Sequence, residues 1–182
     1  MELSGVGRVI LGSLQRVPRS GYEIKRLVDH STRFFWAASY GQIYPELRRL
    51  EQAGLVAGTS EPTGERRRTV HRLTPKGRRA LRAWLVAPDL SYELRDEGLL
   101  KLFFAGALAP DEAVALVRSV RLQHEAVLER LLEIQEESAG RRPRFPSYVL
   151  AYGIDMHRWM AKWFADLERQ LAAEVTAKEE VA

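Results

Sequence analysis

The sequence lacks cysteine altogether. Disulfide frameworks and thiolate metal sites are therefore excluded, and the 4 histidines are scattered rather than clustered. Long apolar runs are also missing: no stretch of about 18 apolar residues occurs, and the N-terminus lacks the basic start of a secretory signal. These absences predict a cytoplasmic protein that holds no metal and no cofactor.

Enzyme signatures are missing as well. The chain has no phosphate-binding glycine loop, no nucleophile elbow and no cluster of metal ligands. Its acidic residues do not pair with histidine or serine in a recognisable catalytic arrangement. We therefore predict no catalytic residues and no enzymatic activity. What the chain does have is 46% hydrophobic residues, enough to bury a core without covalent or metal cross-links.

Charge is distributed unevenly along the chain. Residues 1–90 carry 16 Lys and Arg against 8 Asp and Glu, a net charge of +8, whereas residues 91–182 carry 12 against 16, a net charge of −4. A basic half attracts phosphate and releases its counterions, which favours a nucleic-acid partner. A solvated basic face on an ordinary domain has the same composition, so charge alone does not decide between them.

Two helices are predicted at the start of the chain. Apolar residues at helical spacing predict the first over residues 3–15. Ser20 and Glu23 have the spacing of a capping box, which predicts the start of a second helix that ends near Ser31. The apolar segment 34–38 is then expected to pack beneath the domain.

A third helix is predicted from Ser39, which has Gln42 at capping-box spacing, to a left-handed glycine end at Gly54. Its inward-facing residues are Ile43, Leu47 and Leu50. Pro45 removes one backbone hydrogen bond inside this helix, so we expect a kinked or late-starting first turn. The second and third helices then form a helix-turn-helix pair.

A basic ribbon follows the third helix. Segments 55–59 and 67–73 predict two strands around the turn-rich segment 61–65, and Thr74 caps the next helix. The ribbon carries three consecutive arginines, Arg66, Arg67 and Arg68. A helix-turn-helix pair followed by a basic two-stranded wing is typical of a winged helix DNA-binding domain, which we assign to residues 1–88.

The remainder, residues 89–182, is predicted to be helical. Helices are expected over 94–106 and 110–138, and a segment rich in glycine, proline and arginine at 140–146 separates them from a last helix. Apolar residues recur along that helix at Tyr148, Tyr152, Met156, Trp159, Trp163, Leu167, Leu171 and Val175. A stripe of this kind favours a partner helix. The fold class is therefore mainly α, with an N-terminal winged helix-turn-helix and a C-terminal long-helix dimerisation domain.

Several of these segments resemble the phenolic acid decarboxylase regulator (PadR-like) family of bacterial transcription factors. The resemblance is carried by Ile10-Leu11-Gly12, Gly21-Tyr22-Glu23-Ile24, Gly41-Gln42-Ile43-Tyr44-Pro45, Leu47-Arg48-Arg49-Leu50-Glu51, Gly54-Leu55-Val56, Arg72-Leu73-Thr74, Gly77 and Trp84. It covers residues 8–85, and 93–104 resemble the start of the C-terminal domain in longer members. One departure is His71, where the family commonly has tyrosine.

The resemblance implies a homodimer. Paired winged domains would bind a pseudo-palindromic operator, held together by the C-terminal helices, and the protein would most often act as a repressor relieved by a small molecule. Geometry agrees with this arrangement: two recognition helices must lie about 34 Å apart to meet successive major grooves, and a helical stalk of the predicted length can set such a separation.

Candidate DNA-reading residues lie on the third helix and the wing. Glutamine and arginine match adenine and guanine edges in bidentate geometry, which makes Gln42, Arg48 and Arg49 candidate base or phosphate readers. The alternative is that the two arginines pair with Glu46 or Glu51 at helical spacing. The full predicted DNA-binding set is Tyr22, Lys25, Ser39, Gln42, Tyr44, Arg48, Arg49, Arg66, Arg67 and Arg68.

The two tyrosines of this set enter through the resemblance, which implies that the hydroxyls of Tyr22 and Tyr44 contact phosphate. Core packing of their rings with an exposed hydroxyl is the alternative. For the wing arginines, contact with phosphate or the minor groove is favoured over a merely soluble hairpin.

The helical half offers a candidate effector pocket for a flat aromatic molecule, formed by Phe103, Phe104, Trp159 and Trp163. The alternative is that these side chains form part of a dimer core. His124 and His157 lie on the long helices, where a surface or interface role is favoured over metal binding.

Together these observations predict a sequence-specific, dimeric transcriptional regulator, a repressor relieved by a small aromatic or hydrophobic effector. The alternative from another class is a protein-interaction adaptor whose winged domain does not bind DNA. Cations on both groove-facing elements favour the regulator, since an adaptor has no need of them.

Overall fold

The computed structural model describes residues 2–63, 66–90, 95–140 and 144–179, and the chain forms two units with separate cores. The winged unit is Met1–Ser91 and the helical unit is Tyr92–Ala182. Within the described part of the chain, no helix combines the length and the apolar character needed to cross a bilayer.

The first two helices begin at side-chain caps. Helix α1 (Gly5–Ser13) follows Ser4, whose hydroxyl accepts a hydrogen bond of 2.9 Å from the backbone of Gly7. Helix α2 (Gly21–Asp29) begins with the predicted capping box: Ser20 N donates to Glu23 Oε2 at 2.7 Å, and Glu23 N donates to Ser20 Oγ at 3.3 Å. The second helix is thus confirmed, and α1 is shorter than the predicted 3–15.

Helix α3 (Tyr40–Gln52) starts where Ser39 and Gln42 predict. Pro45 lies inside it, and the helix nevertheless begins at Tyr40, so the expectation of a late first turn is wrong. Gly54 follows with φ of +67°, the left-handed conformation that the helix end requires, and Leu55 N donates back to Leu50 O at 2.9 Å.

The segment between α2 and α3 is less buried than its apolar composition predicts. A 3₁₀ turn covers Thr32–Phe34, after which Phe35 is 60% exposed and Trp36 is 42% exposed. Only Ala38 enters the core, at 4% exposure. The expectation that 34–38 packs beneath the domain is therefore wrong for Phe35 and Trp36.

The wing belongs to a three-stranded sheet rather than to an isolated ribbon. Strands β2 (Val56–Thr63) and β3 (Arg66–Leu73) form the predicted antiparallel pair, but β2 continues to Thr63, into the segment that was predicted to be the turn. A short strand β1 (Arg19–Ser20), which the sequence analysis did not predict, pairs with β3 on its other side. The strand order is β1-β3-β2, so β2 is an outer edge.

Helix α4 (Pro75–Val86) returns from the wing. Thr74 caps it by accepting from Gly77 N at 3.0 Å, and its hydroxyl also donates to Gly54 O at 2.7 Å. The base of the wing is thereby fixed to the end of α3. The core of the winged unit is formed by Ile10, Leu11, Leu14, Ile24, Val28, Ala38, Ile43, Leu47, Leu50, Leu55, Val56, Leu73 and Leu81.

The helical unit contains a short helix α5 (Glu97–Phe103) and two long helices, α6 (Pro110–Glu137) and α7 (Arg144–Glu179), that pack on each other. Its core cluster is Val117, Val120 and Phe164. Glu168 joins the two long helices by accepting from Arg118 Nε at 2.6 Å and Arg121 Nε at 2.8 Å.

A histidine pair also joins α6 and α7. His124 Nδ1 lies 3.2 Å from His157 Nδ1, and the two residues are only 8% and 9% exposed. The ring of His124 also stacks on Phe164 at 5.5 Å between centroids. Burial lowers the pKa of both histidines, and the neighbouring His124 lowers that of His157 further. These shifts disfavour the protonated form of both rings.

Helix α7 carries two apolar faces, not one continuous seam. The face packed within the chain contains Ile154, His157, Ala161 and Phe164. On the predicted stripe, Tyr148, Tyr152, Trp159 and Trp163 are exposed by 60%, 69%, 63% and 41%, whereas Leu167 and Leu171 pack against the core cluster. We call these four exposed rings the aromatic strip of α7.

Candidate nucleic-acid interface

Helix α3 presents a fixed outer face. Its inward residues Ile43, Leu47 and Leu50 are 0%, 2% and 0% exposed, which anchors the helix along its length. Most residues on the outer side of the helix are therefore turned to solvent. Those that are exposed include Tyr40, Gly41, Gln42, Tyr44 and Arg48.

The two adjacent arginines of α3 differ in their partners. Arg49 donates to both oxygens of Glu46, at 2.8 Å from Nε and 2.6 Å from Nη2. Glu46 accepts a third bond of 2.6 Å from Ser4 Oγ, which ties α3 to the start of α1. The bonds from Arg49 lower the pKa of Glu46, although partial burial opposes this shift. Arg49 is therefore paired with Glu46, which was the alternative to its predicted contact with DNA.

Arg48 is exposed, and among the residues that the structure describes no ion pair involves it. Its guanidinium is accordingly available to a ligand. Of the two arginines, Arg48 is the better placed to read a groove, because Arg49 would first have to leave Glu46.

Gln42 contributes to the helix start. Its Oε1 accepts from Ser39 N at 2.9 Å and from Ser39 Oγ at 3.2 Å. Bidentate recognition of adenine uses the amide oxygen as an acceptor and the amide nitrogen as a donor. In this conformation the oxygen is occupied, so Gln42 offers a base only its amide hydrogens.

Three tyrosines line the starts of α2 and α3. Tyr22 and Tyr44 are 55% and 44% exposed, so neither ring is a core residue. The ring of Tyr44 lies against Gly21, where an added Cβ would come within 2.6 Å of Tyr44 Cε1. Tyr40, which sequence reasoning missed, stacks on Tyr44 at 6.1 Å between ring centroids.

Lys25 is less accessible than its predicted role requires. It forms an ion pair with Asp29 and lies over the ring of Tyr40, 5.6 Å from the centroid. Its side chain is only 17% exposed. Phosphate contact by Lys25 stays a prediction, and it would compete with both of these interactions.

The wing arginines are described only in part. Arg68 pairs with Glu61 at 3.3 Å and with Glu23 at 3.6 Å, so its charge is partly compensated. The backbone register places Arg66 and Arg67 opposite Thr63 and Pro62 at the far end of the ribbon. The side chains of Arg66 and Arg67 lie outside the described residues, and their roles stay predictions.

Glu51 and His71 lie where the wing meets α3. Glu51 Oε1 accepts from the backbone N–H of Gly58 on β2 at 2.7 Å. His71 on β3 is 7% exposed, and burial lowers its pKa while the charge of Glu51 opposes that shift. Sequence reasoning treated Glu51 only as a possible partner of the arginines, since no local pattern points to a strand five or more residues away.

The candidate effector residues do not enclose a cavity within one described chain. Phe103, Phe104, Trp159 and Trp163 are exposed by 80%, 64%, 63% and 41%. Phe103 packs edge-to-face on Phe104, and Trp163 packs edge-to-face on Phe164. No group of three or more His, Asp or Glu in the described part of the chain is arranged to hold a metal ion.

Two family models match the sequence. The model described as transcriptional regulator PadR-like family matches residues 10–83. The model described as virulence activator alpha C-term matches residues 94–172. The first match falls in the winged unit and the second in the helical unit.

Similar proteins match over most of the chain. The negative transcriptional regulator PadR of Bacillus subtilis is 27% identical over 168 residues, which cover 87% of this chain and 92% of that protein. The crystal structure of Bacillus subtilis PadR in complex with operator DNA matches with a TM-score of 0.80 at 27% identity, covering 90% of this chain and 97% of that chain. A crystal structure of Bacillus subtilis PadR in complex with p-coumaric acid matches with a TM-score of 0.77 at 26% identity, covering 93% and 99%.

Proposed function

Because this chain belongs to the PadR-like family of transcriptional regulators, we propose that it binds operator DNA as a homodimer and represses transcription until a small aromatic or hydrophobic effector releases it. The observation that carries this proposal is the exposed outer face of α3, with Arg48 unpaired within the described chain, beside a wing that bears three arginines. The protein would act in the cytoplasm and would have no enzymatic activity.

The DNA-binding roles divide between base reading and phosphate contact. We assign base reading to Arg48, and to the amide hydrogens of Gln42, because both lie on the exposed side of α3. Ser39 caps the start of that helix, Tyr44 lies in its first two turns with its ring against Gly21, and Tyr22 lies at the start of α2; we assign phosphate contacts to these three residues, which would fix the register of α3 on the duplex. The wing arginines Arg66, Arg67 and Arg68 would contact the backbone beside the groove.

The aromatic strip of α7 supports a homodimer. Its four rings recur at spacings of four and seven residues, as on one side of a helix that packs against a partner helix. Rings exposed to this extent are unusual on a solvated surface. A second copy of the chain would cover them, and residues 89–182 would then serve as the dimerisation domain and residues 1–88 as the DNA-binding domain.

The proposed effector site is supported by a similar protein and by exposed aromatic rings of the helical unit. The Bacillus subtilis protein has a structure with p-coumaric acid, a flat aromatic acid. We infer that Phe103, Phe104, Trp159 and Trp163 contribute to a site for such a molecule that a second chain completes. The repressor role is supported by the description of that relative as a negative regulator.

A protein-interaction adaptor is the second candidate, and one observation favours it. Lys25, Arg49 and Arg68, three of the predicted DNA-binding cations, already have acidic partners within the chain. An adaptor would show surface ion pairs of this kind and would not require free cations.

Duplex binding distinguishes the two candidates. The probes are fluorescently labelled DNA from beside the protein's own gene and a random duplex of equal length, each titrated at low and physiological salt. A regulator that contacts several phosphates loses affinity by orders of magnitude between about 50 and 200 mM salt and prefers its own operator. Absence of binding to both duplexes at low salt would overturn the proposed function and favour the adaptor.

A further inference from the structure

One side-chain bond connects the recognition helix to the wing. Strand β2 is an edge of the sheet, and the outer N–H groups of an edge strand have no strand partner. The N–H of Gly58 donates instead to Glu51 Oε1, at 2.7 Å. Glu51 lies in the last turn of α3, so this bond joins the two elements that are proposed to meet DNA.

The bond depends on glycine at position 58. A Cβ there would lie 2.7 Å from Glu51 Oε1 and 2.9 Å from Thr69 Cγ2. The first of these atoms is the end of a flexible side chain, so an added methyl group would displace the carboxylate more readily than it would displace the strand. A carboxylate that accepts from a backbone N–H also forms a stronger bond than a neutral acceptor does.

The bond between Gly58 and Glu51 lies close to residues that are proposed to contact DNA. Glu51 and Arg48 are neighbours on α3, because they are three residues apart on a helix. On the strand, Gly58 lies between the base of the wing and the end where Arg66 and Arg67 stand in register with Thr63 and Pro62. Just before β2, the backbone hydrogen bond from Leu55 N to Leu50 O holds the base of the wing to α3. The bond from Gly58 to Glu51 holds β2 to α3 three residues farther along the strand.

We propose that Glu51 is a positioning residue for DNA binding, which clamps β2 to α3 so that the wing contacts the same duplex that α3 reads. This inference rests on the proposed function, since it assigns Glu51 a task within it. Glu51 acts through the wing and touches neither base nor phosphate.

Removal of Glu51 should change DNA affinity in opposite directions depending on whether Glu51 acts as a clamp or only as a charge. A carboxylate on the DNA-facing side of a protein repels phosphate, so its removal without any structural role would tighten binding. Loss of a clamp would instead weaken binding, because a wing that moves freely loses conformational entropy when it binds DNA. Glu51→Ala therefore weakens binding if Glu51 is a clamp and strengthens it if Glu51 is only a charge.

The test compares four full-length variants on a labelled random-sequence duplex. Glu51→Ala removes the acceptor, and Gly58→Ala displaces it from the other side. Glu51→Gln keeps an acceptor oxygen but removes the charge. Gln52→Ala is the matched control, since Gln52 is an exposed neighbour in the same helical turn.

We expect Glu51→Ala and Gly58→Ala to weaken binding by about 3- to 10-fold and to reduce the slope of log affinity against log salt by about one or two, as lost phosphate contacts require. Glu51→Gln and Gln52→Ala should bind at least as tightly as the natural protein. In a background that already carries Arg66→Ala and Arg67→Ala, Glu51→Ala should have little further effect. Tighter binding by Glu51→Ala, or an undiminished loss in that background, would overturn the clamp.

A second readout does not involve DNA. The amide hydrogen of Gly58 should exchange slowly in the natural protein and in Glu51→Gln, and quickly in Glu51→Ala, while amides in α3 keep their protection. Fast exchange at Gly58 in the natural protein would refute the clamp even if DNA binding is intact. If no duplex is bound but Gly58 is protected through Glu51, the proposed function fails and the structural bond stands. Circular dichroism of each variant shows whether it is folded.

Discussion

At the scale of single residues, partners decide what an arginine is able to do. Arg48 and Arg49 are adjacent in sequence, and both have the geometry to read a base. Glu46 holds Arg49 through two hydrogen bonds and is itself held by Ser4, whereas Arg48 projects from the exposed side of α3. Sequence alone could not separate them, because each arginine has an acidic residue at helical spacing: Glu46 lies three residues before Arg49, and Glu51 lies three residues after Arg48.

This difference predicts distinct phenotypes for the two arginines. Arg48→Ala should weaken operator binding by about 1–3 kcal/mol and relax base preference at one position, with little change in stability. Arg49→Ala should lower the free energy of unfolding by about 1 kcal/mol, because it leaves Glu46 without its main partner. Binding curves on single-base operator variants and urea denaturation measure the two effects. Equal effects on both properties in both variants would contradict the assignment.

The cap at Gln42 makes a second prediction. Gln42→Glu keeps an oxygen that accepts from Ser39 and places a negative charge at the start of α3, where the helix dipole favours it, so thermal stability should be unchanged or slightly raised. DNA binding should fall by at least about 10-fold, because a carboxylate offers no donor to a base and repels phosphate. Melting temperature and binding to the operator are measured on the same preparation, with Gln52→Glu as the control. Unaltered affinity would mean that Gln42 lies away from the duplex.

At the scale of elements, the sequence predicted the helices whose first residues are marked by a local capping pattern. Ser20 with Glu23, Ser39 with Gln42, and Thr74 before Pro75 each mark a helix start in the structure, since a cap involves only neighbouring residues. Strand β1 was missed because Arg19 and Ser20 carry no strand pattern, and their pairing with Val70 and His71 is a tertiary contact.

Apolar periodicity predicted helices better than it predicted what they pack against. The stripe along α7 marked that helix correctly, but only its later part, with Leu167 and Leu171, packs within the chain. The earlier rings form the exposed aromatic strip. Similarly, Phe35 and Trp36 are apolar and yet exposed. Hydrophobicity indicates that a residue gains from burial, and it does not say whether its own chain supplies the cover.

The histidine pair makes the stability of the helical unit depend on pH. Burial lowers the pKa of His124 and His157 below the ordinary value of about 6.5, although Asp96 opposes the shift at His124. Below about pH 6.5 the unfolded chain binds protons that the folded chain excludes, so stability falls as pH falls. The slope is at most about 1.4 kcal/mol per pH unit for each excluded proton.

Thermal unfolding of the full chain between about pH 7.5 and 5 measures this dependence together with that of His71, whose pKa is also lowered by burial, and comparison with a histidine variant isolates the part that comes from the pair. The interval lies above the range in which Glu168 and the other carboxylates with lowered pKa values become protonated. His157→Gln should make the profile shallower, because it removes one of the two buried titrating groups. His30→Gln, which changes an exposed histidine, should leave the profile unchanged. A flat profile in the natural protein would show that the folded and unfolded chains bind protons equally at these rings, which contradicts the lowering of their pKa values by burial.

At the scale of the whole molecule, DNA binding and self-association are expected to be coupled. Trp159→Asp together with Trp163→Asp places two charges on the aromatic strip, and we expect the double variant to be a monomer by light scattering. The monomer should retain weak, salt-dependent binding to random DNA and lose at least about 10-fold in affinity for a two-fold operator, because only one half-site is then contacted at a time.

The control for this variant introduces the same charge elsewhere. Ser119→Asp with Gln123→Asp alters two exposed positions of α6, one turn apart, and should leave the mass and the operator affinity unchanged. If the tryptophan variant keeps the mass of the natural protein, the aromatic strip is not the contact between copies. If the natural protein is itself a monomer, the dimer proposal fails.

The buried anchorage of α3 has a kinetic consequence. Ile43, Leu47 and Leu50 hold the helix in place, and Ser39 with Gln42 closes its first turn, so the reading surface is preformed before any ligand arrives. A duplex that meets this surface does not wait for a segment to fold. Encounter is then limited by diffusion and orientation, and the heat capacity change on association should lack the large negative contribution that coupled folding brings.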